Sequence, residues 1–477
     1  PAMTQHIDLS RNEENLKQTI TLPQALGIAF HQIVGGGVVS LTGIAIGLTG
    51  GGVAIAFILA AAGVMIMSIP YSALGAAMPV TGGTYSYAKR LIHPAAGYFT
   101  LVLFIIAQAS LSLYGLTAGA YLHALNPWFD ETAIAIALMS IFYVANMLGA
   151  AFSARIGLIL AGIMLVAFGL FIVFGLIHTD FANYPPVLPE GFGGMLQAAA
   201  LLTFATGGGA VVAEMGREMK NPGRVIPIAV IGGTAFAALL YVLIALPAAG
   251  VLPIEEVANK PLSAVANAVM PGGLAIFFIL GGAVIAVIGT LNTQLMWGSK
   301  SLLVAIDDGW LPRKLGAVNR RFGTPHFLLT MLFLVGVIPA ATHTSVGVIA
   351  SAASAVGQLT FVVIMICSLR LRKLFPEIHA ASPFKLNRTV HKVLAAAGIA
   401  ICFYQTYLLT NGLSPEVFVA LGVWIAIASV YFVIRYPYVK RVMTARREEE
   451  LLQVEVDEMT RTLPGDPDLG RRGATID

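Results

Sequence analysis

Long apolar segments separated by short polar loops make up most of this 477-residue chain. Most of the segments are long enough to cross a bilayer, which takes about 20 residues of helix. A helix satisfies its own backbone hydrogen bonds in lipid, so the pattern predicts an all-α integral membrane protein. We number the predicted transmembrane helices as spans 1 to 12, and they lie at about 25–47, 53–78, 95–124, 132–149, 155–178, 193–217, 225–249, 272–306, 326–342, 345–368, 390–411 and 415–435.

The composition supports this assignment. Hydrophobic residues make up 57% of the chain and charged residues 11%, and the mean hydropathy is +0.83. Soluble domains carry about 25% charged residues, so most of this chain must lie in the lipid bilayer. The net charge of +4 is then a property of the loops, and we expect no nucleic-acid partner.

Lysine and arginine residues are concentrated on one set of alternate loops. They follow spans 2, 6, 8 and 10, whereas the opposite loops hold several acidic residues and one basic residue, Lys260. Because basic loops stay in the cytoplasm, this asymmetry predicts a multi-pass protein of the cytoplasmic membrane with both termini inside the cell. The predicted regions are a cytoplasmic segment at 1–22, a first half with spans 1–5 at 23–180, a second half with spans 6–10 at 190–370, spans 11 and 12 at 386–435, and a cytoplasmic tail at 436–477.

Glycine triplets interrupt the first span of each predicted half. Each glycine is less favourable than alanine in a helix by about 1 kcal/mol. Since each half has an odd number of spans, the second half would be inverted relative to the first. In inverted-repeat transporters, interrupted helices at corresponding positions of the two halves mark the binding site. The triplets, in "QIVGGGVVS" and "FATGGGAVV", are Gly35, Gly36 and Gly37 in span 1 and Gly207, Gly208 and Gly209 in span 6.

An interrupted helix exposes main-chain groups that suit a zwitterion. Free N–H groups bind a carboxylate, free carbonyls bind an ammonium, and the ends of the half-helices add dipoles of the right sign. Such groups are tolerated at membrane depth only where they face protein or a water-filled cavity. The alternative is that the small residues simply let helices pack closely.

Several motifs resemble the amino acid–polyamine–organocation superfamily, in order over about residues 24–435. They are "GGGVVSLTG", "PYSALGAAMPVTGGTYSYAKR", "SARIG", "FATGGGAVVAEMGREMKNPGRVIP" and "AIDDGWLPRKLGAVNRRFGTP". The resemblance implies a five-plus-five inverted-repeat (LeuT-like) fold with broken spans 1 and 6 and two further C-terminal helices. Spans 1, 2, 6 and 7 would form a moving bundle, and spans 3, 4, 8 and 9 a scaffold.

The same resemblance implies a substrate site at the two breaks. The α-carboxylate would meet main-chain N–H groups of span 1, and the α-ammonium would meet carbonyls next to both breaks. Together with the span 6 triplet, the residues implied are Ile33, Gly35, Gly36, Gly37 and Val38 in span 1 and Phe204, Ala205 and Thr206 in span 6.

Three positions depart from the family pattern. Gly209 stands where members usually have an aromatic gate, which predicts either a roomy site or a gate supplied from elsewhere, such as Phe204 or Tyr114. Ala210 stands where some members carry an acid. Met164 stands where proton-coupled members often have a lysine, so coupling through a span 5 lysine is not expected.

Other polar residues at membrane depth are candidates for coupling or gating. Glu214 lies about one turn beyond the span 6 triplet. It either acts in coupling, or it pairs with a cytoplasmic cation such as Arg217 or extends to the membrane interface. His31 precedes the first break and either carries a proton or is a satisfied core histidine. Span 8 contains a polar cluster that comprises Thr290, Asn292, Thr293 and Gln294. Three roles are open for it: it would hold sodium, line the substrate cavity, or form hydrogen bonds between helices.

The function expected from these features is secondary transport of a small amine-bearing solute, a neutral amino acid first. No acidic side chain other than Glu214 lies near either break, which disfavours a cationic amino acid or a polyamine. A nutrient receptor that does not transport is a further alternative. The sequence contains no HExxH motif and no cluster of histidine and cysteine, so we expect neither an enzyme nor a cofactor.

Overall fold

Helices form almost the whole of the computed structural model. Within the described part of the chain, the extended pairings are two isolated bridges, Ile20 with Met219 and Thr81 with Met215. The all-α prediction is therefore confirmed for the described residues. The structure describes residues 18, 20–148, 150–317, 324–411 and 413–462, so most of the predicted segment 1–22 and the end of the predicted tail lie outside it.

Nine helical runs within the described residues are long and apolar enough to cross a membrane. One of them, Leu22–Ala77, is 56 residues long and contains both predicted spans 1 and 2. Two shorter apolar helices, Glu131–Met147 and His326–Ala341, lie where spans 4 and 9 are predicted. The chain is thus a multi-pass membrane protein.

The first half begins with two half-helices, Leu22–Ile33 and Gly36–Thr49. The helices that follow cover predicted spans 2 to 5 and a short helix, Gly83–Leu91, in the loop after span 2. They are Val53–Ala77, Gly83–Leu91, Pro94–Ala107, Ser110–Leu125, Glu131–Met147 and Ala150–His178. The second half contains Gly191–Thr206, Val211–Glu214, Pro222–Pro227, Gly233–Gly250, Gly272–Phe277, Ile285–Asp307, His326–Ala341 and Val346–Leu374. A π-helical turn, Ile228–Gly232, continues Pro222–Pro227 into Gly233–Gly250, and another, Phe278–Val284, joins the two parts of span 8.

The C-terminal part differs from the predicted division at residue 436. After the helix Arg388–Thr410, a single helix of 48 residues runs from Pro415 to Thr462 and crosses that boundary without interruption. It is anchored beyond the boundary because the buried guanidinium of Arg446 donates to Asp308 Oδ1 at 3.1 Å. Lys89 Nζ contacts the other oxygen of Asp308 at 2.5 Å. The start of the predicted tail is therefore packed against the end of span 8.

Spans 1 and 6 approach each other through their glycines. A Cβ atom on Gly37 would lie 2.5 Å from the Cα of Ala205, and one on Gly208 would overlap the carbonyl oxygen of Gln32. Real Cβ contacts are essentially never this short, so these positions admit only glycine unless the helices move apart. The two triplets therefore bring the backbones of spans 1 and 6 into direct contact.

Candidate functional site

Span 1 is interrupted at two residues. Its first half ends at Ile33 and its second begins at Gly36, while Val34 and Gly35 have non-helical backbone angles. Every residue from Ile33 to Val39 is buried, so the break faces protein and not lipid. The interruption lies at the predicted place.

Span 6 is tightened at its triplet and is not unwound. Gly207–Ala210 form a 3₁₀ turn that leads directly into Val211–Glu214, and the N–H of Val211 donates to carbonyls within the turn. This differs from the expectation of free main-chain groups in both spans. Three residues without side chains can adopt the 3₁₀ turn without the crowding that its eclipsed geometry imposes on larger residues.

Thr290 of span 8 fills the break in span 1. Its Oγ1 accepts a hydrogen bond from the N–H of Gly36 at 2.8 Å and lies 2.9 Å from the carbonyl oxygen of His31. A Cβ atom on Gly35 would overlap this hydroxyl oxygen. Glycine is therefore needed at position 35 because a side chain from another helix enters the break there.

Tyr241 of span 7 connects the two predicted carbonyl positions. Its hydroxyl donates to the carbonyl of Ile33 and lies 3.3 Å from the carbonyl oxygen of Ala205. Tyr241 was not predicted from the sequence. The available signal was a tyrosine inside the otherwise apolar run "ALLYVLIAL", where a buried hydroxyl requires a partner.

A cavity of about 200 Å³ extends from the span 6 turn toward the predicted cytoplasmic side. Gln32, Gly207 and Gly208 lie at its inner end, and Thr84 and Glu214 lie at the other end. We call it the inner cavity. Aromatic and hydroxyl-bearing side chains form its walls, among them Tyr71, Phe104, Trp297 and Thr360.

An aromatic pair covers the break from the other direction. The rings of Tyr114 and Phe204 lie nearly parallel, with centroids 6.3 Å apart. The Tyr114 ring packs directly on Gly36, where a Cβ atom would overlap it. Gly209 faces elsewhere, since a Cβ atom there would lie 3.0 Å from Ile33 Cδ1 and 3.3 Å from Thr234 Oγ1. The roomy site expected at Gly209 is not present, because the 3₁₀ turn directs this glycine toward span 7.

Glu214 lies buried in the lining of the inner cavity, toward the predicted cytoplasmic side, with 7% of its surface exposed. Its Oε1 accepts hydrogen bonds from the N–H and hydroxyl of Thr84, at 3.0 and 2.7 Å, and from the Tyr71 hydroxyl at 3.2 Å. Its Oε2 accepts from Ser301 at 3.1 Å. These four neutral donors take the place of the cationic partner that was one of the two expectations.

A chain of amides links span 1 to spans 3 and 8. Gln294 Nε2 donates to Ser110 Oγ at 2.8 Å and lies 3.3 Å from Gln108 Oε1. The side-chain amide of Gln32 lies 3.5 Å from Gln294 Oε1. Gln32 was not singled out from the sequence, although an amide directly before a helix break at membrane depth is a usable signal.

The remaining predicted residues lie away from the inner cavity's lining. The His31 ring is buried against Gly289 of span 8, where a Cβ atom would lie 2.5 Å from its Nδ1. Asn292 Oδ1 accepts from Asn146 at 2.8 Å, which joins spans 4 and 8. Met164 and Thr293 are buried.

A membrane-embedded helical bundle with a broken helix at the end of a cavity defines the class of multi-pass membrane transporters. The profile of the amino acid permease family matches residues 20–436. The chain therefore belongs to the amino acid permeases of the amino acid–polyamine–organocation superfamily, as the sequence motifs predicted.

Individual relatives have different substrates in their names. The chain is 26% identical to the methylthioribose transporter of Bacillus subtilis, over 88% of this chain and 94% of the relative. It is 26% identical to the branched-chain amino acid permease BcaP of the same organism, over 89% and 94%. It is 24% identical to cationic amino acid transporter 1 of Arabidopsis thaliana, over 66% and 56%. These similarities support transport and leave the substrate class open.

Proposed function

We propose that this permease is a secondary transporter that moves a neutral amino acid across the cytoplasmic membrane by alternating access. The proposal includes the five-plus-five inverted repeat, with twelve spans and both termini in the cytoplasm. The bundle of spans 1, 2, 6 and 7 would rock against the scaffold of spans 3, 4, 8 and 9.

The convergence of main-chain groups at the span 1 break carries this proposal. The N–H of Gly36 and the carbonyls of Ile33 and Ala205 are buried at the break and are satisfied by two hydroxyls, those of Thr290 and Tyr241. We infer that the substrate replaces these hydroxyls. Its carboxylate takes the N–H of Gly36 and its ammonium takes the two carbonyls, so these three backbone groups are paired in both states.

The surroundings of Glu214 favour a neutral side chain on the substrate. Its two carboxylate oxygens are engaged by donors from Tyr71, Thr84 and Ser301. A cationic side chain would have to displace these donors, whereas an apolar one finds the ring of Phe104 on the cavity wall. The branched-chain amino acid permeases among the relatives support a neutral amino acid as the substrate. Cationic amino acids, polyamines and a receptor without transport are the alternatives.

Uptake into proteoliposomes tests the proposal. The purified protein is reconstituted and offered the twenty protein amino acids, putrescine and methylthioribose, each labelled, with empty liposomes as the control. We expect uptake of branched-chain or small neutral amino acids that is faster than uptake of arginine or putrescine. Preferred uptake of arginine or putrescine contradicts the neutral class, and saturable binding without uptake shows a receptor.

A further inference from the structure

A second cavity, of about 360 Å³, lies on the opposite side of the span 1 break from the inner cavity. We call it the outer cavity. Ligand sites typically have volumes of about 300–1,000 Å³, so it can hold a small solute. Its lining combines apolar residues, three hydroxyls and one charge of each sign, and includes Ser40, Ile44, Thr117, Tyr121, Glu131 and Lys260.

The floor of the outer cavity is a pair of hydroxyls close to the break. Ser40 Oγ and Thr117 Oγ1 lie 2.8 Å apart, and both line the cavity. Ser40 is four residues beyond Gly36, and Thr117 is three residues beyond Tyr114, which is about one helical turn in each case. The outer cavity therefore begins about one helical turn away from the residues at the break.

Lys260 is held against span 1 by the backbone of its own loop. The N–H of Asn259 donates to the carbonyl of Gly43 at 2.8 Å, and a Cβ atom on Gly43 would overlap the carbonyl oxygen of Lys260. Asn259 has a φ of 58°, a left-handed conformation that asparagine tolerates better than most residues. Lys260 is also the one basic residue in the predicted outer loops, where lysine is disfavoured.

Glu131 also lines the outer cavity and is held against span 3. It begins the helix Glu131–Met147, and its carbonyl oxygen packs so closely on Gly119 that a Cβ atom there would overlap it. Lys260 thus lies on the predicted moving bundle, through span 1, and Glu131 lies on the predicted scaffold, through spans 3 and 4. The two charges face the same cavity from bodies that would move relative to each other.

We propose that the outer cavity is a loading site for the zwitterionic amino acid, with the carboxylate bound by Lys260 and the ammonium by Glu131. The side chain of the substrate lies along Ile44 and Val346, which also line the cavity. The Ser40–Thr117 pair then separates to admit the amino acid to the break. This inference rests on the proposed function, because it assumes that a zwitterion is the substrate.

Transport measured from each side of the membrane tests the loading site. Right-side-out and inside-out membrane vesicles are prepared with the unmutated protein, Lys260→Gln and Glu131→Gln, and offered the amino acid that gave the fastest uptake. Losing one charged hydrogen bond of about 1.5 kcal/mol raises KM about tenfold. We expect this increase in KM for substrate added at the outer face and an unchanged KM for substrate added at the cytoplasmic face. The unchanged cytoplasmic KM also shows that the variants fold.

Matched variants separate a binding role from a general effect of charge. Glu255→Gln removes an exposed acid from the same loop and should leave both KM values unchanged. Lys260→Arg keeps the charge and should retain an outer KM within about twofold of the unmutated protein. An unchanged outer KM in Lys260→Gln, or an equal change at both faces, would overturn the loading site while leaving the proposed transport intact. If the unmutated protein transports none of the amino acids, the proposed function fails and the loading site fails with it.

Discussion

The N–H of Gly36 donates a hydrogen bond to the hydroxyl of Thr290, at 2.8 Å. The donor that the sequence assigned to a substrate carboxylate is thus occupied by a side chain of span 8. The same hydroxyl reaches the carbonyl of His31 on the other half of span 1. One residue of the predicted scaffold therefore bridges both sides of the break, and substrate binding has to exchange this contact.

Replacing Thr290 with valine tests the bridge at nearly constant volume. The substitution leaves a buried N–H and a buried carbonyl without this partner, which costs about 1–3 kcal/mol for each unsatisfied group. We expect a lower melting temperature of the substrate-free protein in detergent and a larger stabilisation by substrate than in the unmutated protein, because the substrate carboxylate pairs with the freed N–H of Gly36. Thr290→Ser keeps the hydroxyl and serves as the control. An unchanged melting temperature in Thr290→Val would show that the bridge contributes nothing.

Tyr241→Phe removes the hydroxyl that pairs with the carbonyls of Ile33 and Ala205. We expect the substrate-free protein to melt at a lower temperature, because those carbonyls lose a donor, and substrate to restore more stability than in the unmutated protein. The measurement is the melting temperature with and without substrate.

Tyr98→Phe is the matched control for this experiment. Its buried hydroxyl donates to the carbonyl of Ala428 at 2.7 Å, far along the chain from the break. It should lower the melting temperature without enlarging the shift caused by substrate. The same enlarged shift in both variants would argue against replacement of the Tyr241 hydroxyl by the substrate.

The sequence was sufficient to place the break in span 1, because consecutive glycines at membrane depth are unfavourable unless the structure uses them. It was not sufficient to predict the 3₁₀ turn at Gly207, since glycine permits several backbone conformations and packing selects one. Tyr241 and Gln32 were missed for a related reason. Their roles depend on which faces of distant helices meet, and a near-uniform apolar pattern does not encode this.

Neighbouring glycines of span 6 should respond differently to alanine. A Cβ atom on Gly208 would overlap the backbone of Gln32, whereas the nearest atom to one on Gly207 is a Val64 methyl at 4.0 Å. Gly208→Ala must push spans 1 and 6 apart, and overpacking of this kind typically costs about 1–3 kcal/mol. We expect it to lower both the melting temperature and the substrate affinity.

Gly207→Ala provides the internal control, because its new methyl group meets open space and alanine favours helical backbone. Its melting temperature should stay near that of the unmutated protein, or rise slightly. Equal losses in the two variants would mean that the triplet is needed for its flexibility, and that the contact between the two backbones is not the deciding factor.

Coupling is predicted to require no sodium. The Thr290 hydroxyl, one candidate ligand, is already engaged by Gly36 and His31. Uptake in proteoliposomes should therefore survive replacement of sodium by choline at fixed pH. Glu214 is a carboxylate in the lining of the inner cavity, toward the predicted cytoplasmic side, and Tyr71 and Tyr85 are further titratable groups of that lining. If a proton gradient drives uptake, Glu214→Gln should remove that response while exchange of internal for external substrate continues. His31→Ala tests the other titratable candidate. Glu377→Gln alters an exposed acid on the predicted cytoplasmic side and should leave the response unchanged. Uptake that stops without sodium would contradict this prediction and would direct attention to Thr290 and Thr293 as ion ligands.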